Sequence, residues 1–380
     1  MSLLSFFHTL NSSGEDRKRK FVNWVDETLN LRQGSKIESF KVKYPLDKGD
    51  NFCIDRWIEY AINKEVDTLE HDFYPCHLPK NNVLHYCLPW LFNEQGKPSS
   101  IKHLSLSCCR FWSPLEFWSL KNLERLFLKD IFINEQTLEE ICSACSSLEY
   151  LSLQRCVHSR TLTISSSSLK HLTLSRNTLL EEVEIFAVNL VSLEIRGVLV
   201  RVRFLTAPVC VRLVIRTLQD DTLSGIKYAL GELATDFPLL QNLFLTNPPF
   251  AAKDILPKKL PAFSKLKNLI IAMTEGKLGS LLLYIPMLEA APLLERFELQ
   301  LGFDDAYDGP LSESKTSKCP KLKYLKEGMM YGFYGHGAEI EMASHLLRNA
   351  PCLKKMELNS RQKYYAGDGK YILDDGREMI

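Results

Sequence analysis

Cys142-Ser-Ala-Cys145 has the C-x-x-C spacing at which two thiols exchange a disulfide or hold half of a zinc site. A redox pair needs surroundings that favour the thiolate. Here the pair ends a helical stretch that leads into a repeated strand, and no second C-x-x-C follows. Two unreactive core thiols are expected. His71, Cys76, His77 and His85 are loosely grouped, and their spacing fits no zinc pattern, so incidental histidines of a terminal unit are expected. Gly332, Gly335 and Gly337 miss the dinucleotide fingerprint, and Gly367-Asp-Gly-Lys370 lacks the rest of a phosphate loop. Neither G-x-S-x-G nor H-E-x-x-H occurs. The expectation is a chain without a catalytic centre, metal or cofactor.

Recognition by a surface is the chemistry that remains. Arginines and aromatic residues dominate interface energetics, and they recur here beside an apolar–x–apolar triplet. Arg125, Phe127, Lys129, Tyr150 and Gln154 fall in two consecutive triplets. His171, Arg196, Arg212, Arg216 and Phe244 fall in the next four. All ten are candidate partner-binding residues. The residue inside each triplet points away from the core, a column that includes Phe127, Glu194, Val214, Phe244, Ile270, Glu298 and Lys326.

The elements that must position these residues are repeats. Cys145-SSLEYLSL-Leu153, Phe237-PLLQNLFL-Leu245, Ala291-PLLERFEL-Leu299 and Ala350-PCLKKMEL-Leu358 share one pattern, and Cys319-PKLKYLKE-Glu327 is a degraded copy. Shorter copies start at Ile101, Leu123, Leu169, Leu190 and Leu266, with a looser one at Cys210. The steps run 20–25 residues from Ile101 to Cys210 and 26–31 residues from there to Leu353, with Leu322 as the intermediate mark. These are leucine-rich-repeat periods. The triplet is a short strand of period two, so Leu126, Leu151 and Leu172 point inward. Each buried leucine contributes about 1.5–3 kcal/mol, and one unit alone cannot cover its apolar face, so units stack. The longer steps contain helical patterns at Gly225–Leu233, Ser280–Ala290 and Ile340–Asn349, ended by Pro238, Pro292 and Pro351. Cys109, Cys156 and Asn177 occupy the small buried turn position of the repeat.

The expected fold class is therefore α/β, a leucine-rich-repeat solenoid: a curved parallel sheet with helices and loops on the convex side and a partner bound on the concave side. Residues 1–20 read as a weakly ordered segment, 21–100 as atypical capping repeats with helix–strand–helix over 21–62, and 101–220 as short repeats. Residues 221–358 read as longer, helix-containing repeats and 359–380 as a C-terminal tail without a repeat. The 380 residues carry 47 basic and 46 acidic side chains, a net charge of +1, so no global field draws the chain to nucleic acid or to an anionic membrane. No apolar run is long enough to span a bilayer. Eleven cysteines without framework spacing and the absence of a secretory signal suggest a reducing compartment, cytoplasmic or nuclear. A monomer is expected.

Several segments resemble plant F-box/leucine-rich-repeat proteins with an FBD-type ending. Phe21-VNWVDETLNLRQGSKIESFKV-Val42 resembles the block that follows the F-box, and Asp55-RWIEYAI-Ile62 and Val66-DTLEHDF-Phe73 its continuation. Leu138-EEICSACSSLEYLSLQRC-Cys156 and Gly225-IKYALGELATDFPLLQNLFL-Leu245 are similar to its repeats, and Gly332-FYGHGAEIEMASHLLRNAPCLKKMEL-Leu358 to its ending. Residues 1–20 do not resemble an F-box. The resemblance implies a non-catalytic substrate-recognition part of a cullin-RING (SCF-type) ubiquitin ligase, whose adaptor binds only if an F-box is supplied upstream. The alternative is a free-standing interaction or decoy protein.

Overall fold

The computed structural model describes residues 14–31, 36–46, 48–73, 86–87, 99–110, 119–198, 200–206, 209–217, 233–246, 262–273, 281–302, 322–367 and 370–374. The chain divides into two compact units, Met1–Cys156 and Val157–Ile380.

The first unit opens with helix α1 (Gly14–Leu31), whose first turn carries Glu15 and Asp16 at the positive end of the helix dipole. Strand β1 (Ser39–Lys43), helix α2 (Asn51–Asn63) and strand β2 (Thr68–Asp72) follow. The helix–strand–helix pattern of the terminal unit is thus present, with α1 reaching back into residues 14–20. Trp57, Ile54 and Ile58 of α2 are fully buried, and the Trp57 indole donates to Asp26 of α1 at 2.7 Å. Two two-residue strands, β3 (Tyr86–Cys87) and β5 (Cys109–Arg110), pair with each other. Strands β4 (His103–Ser107), β6 (Arg125–Lys129) and β7 (Tyr150–Gln154) continue the parallel ladder from β2. Leu104, Leu126 and Leu151 lie in register, and Leu106, Leu128 and Leu153 form the second inward row. All six are buried, as period two requires. Helix α3 (Glu135–Ala144) is capped by Asn134, whose side chain accepts from the Thr137 amide at 2.8 Å.

The second unit stacks eight parallel strands: β9 (His171–Ser175), β11 (Ser192–Gly197), β13 (Arg212–Thr217), β14 (Asn242–Thr246), β15 (Asn268–Met273), β16 (Arg296–Leu301), β17 (Glu327–Tyr331) and β18 (Lys355–Asn359). Leu172, Leu193, Leu213, Leu243, Leu269 and Phe297 form one inward row and are buried. On the other side of the short repeats lies a second parallel layer of β8 (Thr161–Ser165), β10 (Glu182–Phe186) and β12 (Arg201–Phe204), where loops or helices were expected. Units of 20–21 residues leave no room for a helix. The runs Thr-Leu-Thr-Ile-Ser and Glu-Val-Glu-Ile-Phe alternate instead, burying Leu162, Ile164, Val183 and Ile185. In the longer units the expected helices appear at Ile285–Glu289 and Gly337–Asn349. Of the Gly225–Leu233 stretch only Leu233 lies within the described residues, where it begins a short helix, Leu233–Asp236.

One register differs from expectation. The strand after Leu322 begins at Glu327, so Leu325 takes the place that Leu294 holds in the preceding unit, and Gly328 and Met330 point inward. Lys326 therefore precedes the strand, and Met329 takes the position assigned to it. Gly328 stands where Phe297 and Met356 stand in the neighbouring strands, and a Cβ there would meet the Met356 sulfur at 3.0 Å. The chain after Asn359 also acquires structure: β19 (Lys363–Gly367) and β20 (Lys370–Leu373) form an antiparallel hairpin. No helix among the described residues is long and apolar enough to cross a membrane.

Candidate functional site

The turns after β4, β6, β7, β9 and β11 repeat one backbone solution. Cys108, Asp130, Arg155 and Arg176 all adopt φ of 52–54°, and Gly197 takes the same place at φ 105°. This left-handed residue reverses the chain so that the next small residue enters the core. Cys156 there donates its thiol to the Leu128 carbonyl at 3.2 Å, and the Asn177 side chain accepts from the Val157 amide at 3.1 Å. Both are buried, as their turn position requires. Cys142 and Cys145 are buried as well, and burial pushes both thiols up to about 12. Almost no thiolate exists on either at neutral pH, so neither is a ready nucleophile. Of the histidine–cysteine group, His71 lies in the core row opposite Leu106, and Cys76, His77 and His85 lie outside the described residues. Burial lowers His71 to about 3, so the ring is neutral.

The first unit brings three of its five candidates together. The Arg125 guanidinium lies over the Tyr150 ring at 4.7 Å and the Phe127 ring at 5.5 Å. The two rings stack against each other with centroids 4.9 Å apart and planes tilted by 30°. All three are half-buried, and the Arg125 Nε has no hydrogen-bond partner among the described residues. The register produces this contact, since Arg125 pairs with Tyr150 across β6 and β7 and Phe127 shares its face two residues on. Lys129 closes the same face at the far end of β6 and meets Asp72 at 3.4 Å, which also accepts from the Ser107 hydroxyl at 2.5 Å. Gln154 is half-buried at the end of β7.

The other five candidates belong to the second unit, and the hairpin changes their setting. His171 is exposed at the start of β9 and Arg212 half-buried at the start of β13. Phe244 was expected to face a partner but is 4% exposed, because Tyr365 and Tyr371 of the hairpin lie over it at 4.9 and 6.4 Å. Val214, Phe244, Ala272 and Tyr365 form one buried cluster, with Ile270 packed against it. Arg196 donates to Glu194 at 2.5 Å, and the Tyr365 hydroxyl reaches the other oxygen of Glu194 at 3.3 Å. Arg216 stacks over the Tyr365 ring at 5.6 Å. Burial, with the Arg196 guanidinium alongside, holds Arg216 below the usual arginine range.

Glu298, expected to point outward, is fully buried. It accepts from Arg296 at 3.0 Å, Gln300 at 2.7 Å and Lys363 of the hairpin at 2.6 Å. The Lys363 ammonium sits between the rings of Tyr331 and Tyr371 at 4.5 and 4.6 Å. Lys363, Tyr365, Tyr371 and Glu298 were absent from the candidate set. A signal for them exists in the sequence: Lys-Tyr-Tyr-Ala and Lys-Tyr-Ile-Leu flank Gly-Asp-Gly, the pattern of two short strands and a turn.

The geometry is that of stacked repeats presenting polar and aromatic side chains from parallel strands. The family model for the leucine-rich-repeat domain of the At1g61320/AtMIF1 type matches residues 29–372. The chain is similar to the FBD-associated F-box protein At1g61320 of Arabidopsis thaliana, 24% identical over 90% of this chain and 77% of that protein. It is similar to the F-box/FBD/LRR-repeat protein At5g22700 of the same plant, 25% identical over 91% of this chain and 75% of the relative. At3g44060, whose name also carries the F-box term, is 30% identical over 46% of this chain, a stretch that spans 39% of its length. With nine-tenths of its length aligned to F-box/FBD/leucine-rich-repeat relatives and its repeats matched from residue 29 to 372, the chain belongs to this plant F-box/LRR family.

Proposed function

We propose that this chain is a protein-binding module that selects a substrate for a cullin-RING ubiquitin ligase, with the open sheet face of its first unit as the recognition surface. One observation carries the assignment of the face: the Arg125 guanidinium lying over the stacked rings of Phe127 and Tyr150. Each group holds the others in place, so little side-chain entropy remains to be lost when a partner covers them. Arginine and tyrosine are also the residue types that carry the most binding energy at interfaces. Lys129 and Gln154 extend the surface along the strand ends. The ligase role is supported by the relatives, whose names carry the F-box term.

The test is capture of bound proteins by the wild-type chain and by Tyr150→Ala. A partner held by the face is lost from the variant, while the fold, read by circular dichroism, is unchanged. If both forms retain the same partners, this face is not the recognition surface. The ligase role is read separately. Recovery of a cullin adaptor with the protein expressed from its native transcript supports it, and recovery of substrate without adaptor favours a free-standing interaction protein.

A further inference from the structure

The C-terminal hairpin touches the second unit's sheet in the way a peptide touches a receptor. Among the described residues, β19 pairs with β20 and with no strand of the main sheet. No backbone ladder therefore fixes the hairpin to the face beneath it, and side chains supply the attachment. Lys363 and Tyr365 lie two residues apart on one strand and so point to the same side. The face holds a separate complement for each. The Tyr365 ring enters the apolar floor of Val214, Phe244 and Ala272 and becomes 6% exposed, and its hydroxyl meets Glu194. The Lys363 ammonium meets the buried carboxylate of Glu298 and the ring of Tyr331.

Among the described residues the hairpin packs on the sheet through the side that carries Lys363, Tyr365 and Tyr371. Its other side carries the Tyr364–Ile372 pair, with Ile372 59% exposed. A cleft open to solvent remains beside it, lined by Arg216, Phe244, Thr246, Gln300, Lys363 and Tyr365. Lifting the hairpin would bare an apolar patch ringed by Arg196, Arg216, Glu194 and Glu298, the composition of an interface centre with its polar rim.

We propose that the sheet face of the second unit is a binding site for an extended segment with lysine two residues before tyrosine, and that the chain's own hairpin fills it in cis until a partner protein with the same pattern displaces it. The floor selects the aromatic ring, Glu298 selects the cation, and the two-residue spacing matches the strand repeat. This goes beyond the partner face of the first unit and stands or fails without it.

Two measurements test it. Native-state hydrogen exchange of the unaltered chain should show the amides of 363–373 exchanging on the order of 100-fold faster than those of β13–β16, through an opening that leaves the sheet folded. Exchange of both at one rate would mean that the hairpin opens only with global unfolding, which overturns the proposal. In the second, a labelled peptide of residues 360–374 is titrated into the full chain carrying Lys363→Glu and Tyr365→Ala. The variant should bind it at least about tenfold more tightly than the wild-type chain, whose face is already filled. Adding Glu298→Gln should weaken that binding about tenfold or more. A peptide with alanine at both key positions should not bind. A folded variant that ignores the peptide overturns the proposal. So does a variant that fails to fold, because a displaceable segment is not needed for folding.

Discussion

At the scale of single residues, the inward rows and the outward columns of one strand have separable roles. Leu172 is 1% exposed, so Leu172→Ala leaves a cavity in the repeat core and should lower stability by about 2–5 kcal/mol, measured by urea unfolding. His71 makes a pH-dependent contribution of the same kind. Its ring is 1% exposed, packs edge-on against Phe73 at 5.1 Å, and has no hydrogen-bond partner for either nitrogen among the described residues. The folded chain holds it neutral down to about pH 3, whereas the unfolded chain protonates it near the ordinary 6.5. Below 6.5 the unfolded state binds the extra proton, so stability falls as pH drops from about 6.5 toward 3, by about 1.4 kcal/mol per pH unit. Replacing His71 with leucine should flatten this slope between pH 6.5 and 5. An unchanged slope in the variant would place the titrating group elsewhere. The inward place of His71 is legible in strand β2, whose alternation puts Leu69 and His71 on one side.

Elements show where pattern alone fell short. Strands whose triplets hold two leucines were readable, since period two and the 20–25-residue spacing agree. The Lys-Leu-Lys-Tyr-Leu-Lys-Glu-Gly-Met-Met stretch offers two leucines three apart, and the pattern fits either one to the repeat. The structure uses Leu325 because the register from Leu322 would turn the charged Glu327 inward, whereas the one adopted puts Gly328 and Met330 there. The hairpin escaped for another reason: it belongs to no repeat, so nothing in the periodicity foretold that Phe244 and Glu298 would be covered. Turn chemistry also decides the entry into helix Gly337–Asn349. Glu339 is 1% exposed, and one of its oxygens accepts from the amides of Tyr334, Gly335 and His336 at 2.8, 2.7 and 3.1 Å. Three otherwise orphaned donors converge on one carboxylate, which makes this cap charge-assisted. Glu339→Ala should therefore cost about 1–3 kcal/mol, more than removal of an exposed cap, by the same unfolding measurement. A loss below about 0.5 kcal/mol would mean that solvent satisfies those amides unaided.

For the whole molecule the decisive quantity is the near balance of 47 basic and 46 acidic side chains. Much of that charge is consumed locally across neighbouring strands. Lys43 pairs with Glu70 at 2.6 Å, Arg155 with Asp130 at 2.5 Å, and Lys326 with Glu295 at 2.6 Å. Such exposed or half-exposed pairs add little stability individually, but they leave no broad field of one sign. On the proposed reading, recognition then depends on shape and on small patches such as Arg125 over its two rings. The same balance has a cost in solution. With an isoelectric point near 7.5, the chain carries almost no net charge at physiological pH and has little electrostatic repulsion between copies. Exposed apolar side chains such as Leu31, Leu179 and Ile372 can then associate between copies. Light scattering of the purified chain should pass through a maximum near pH 7.5 and fall by about pH 10.4, where roughly half of the lysines are neutral while the carboxylates keep their charge, so a net negative charge builds. Adding salt at that pH should restore part of the scattering by screening that repulsion. A profile that rises steadily with pH and shows no maximum would point instead to thiol oxidation at the exposed Cys352, and a reducing agent would abolish it.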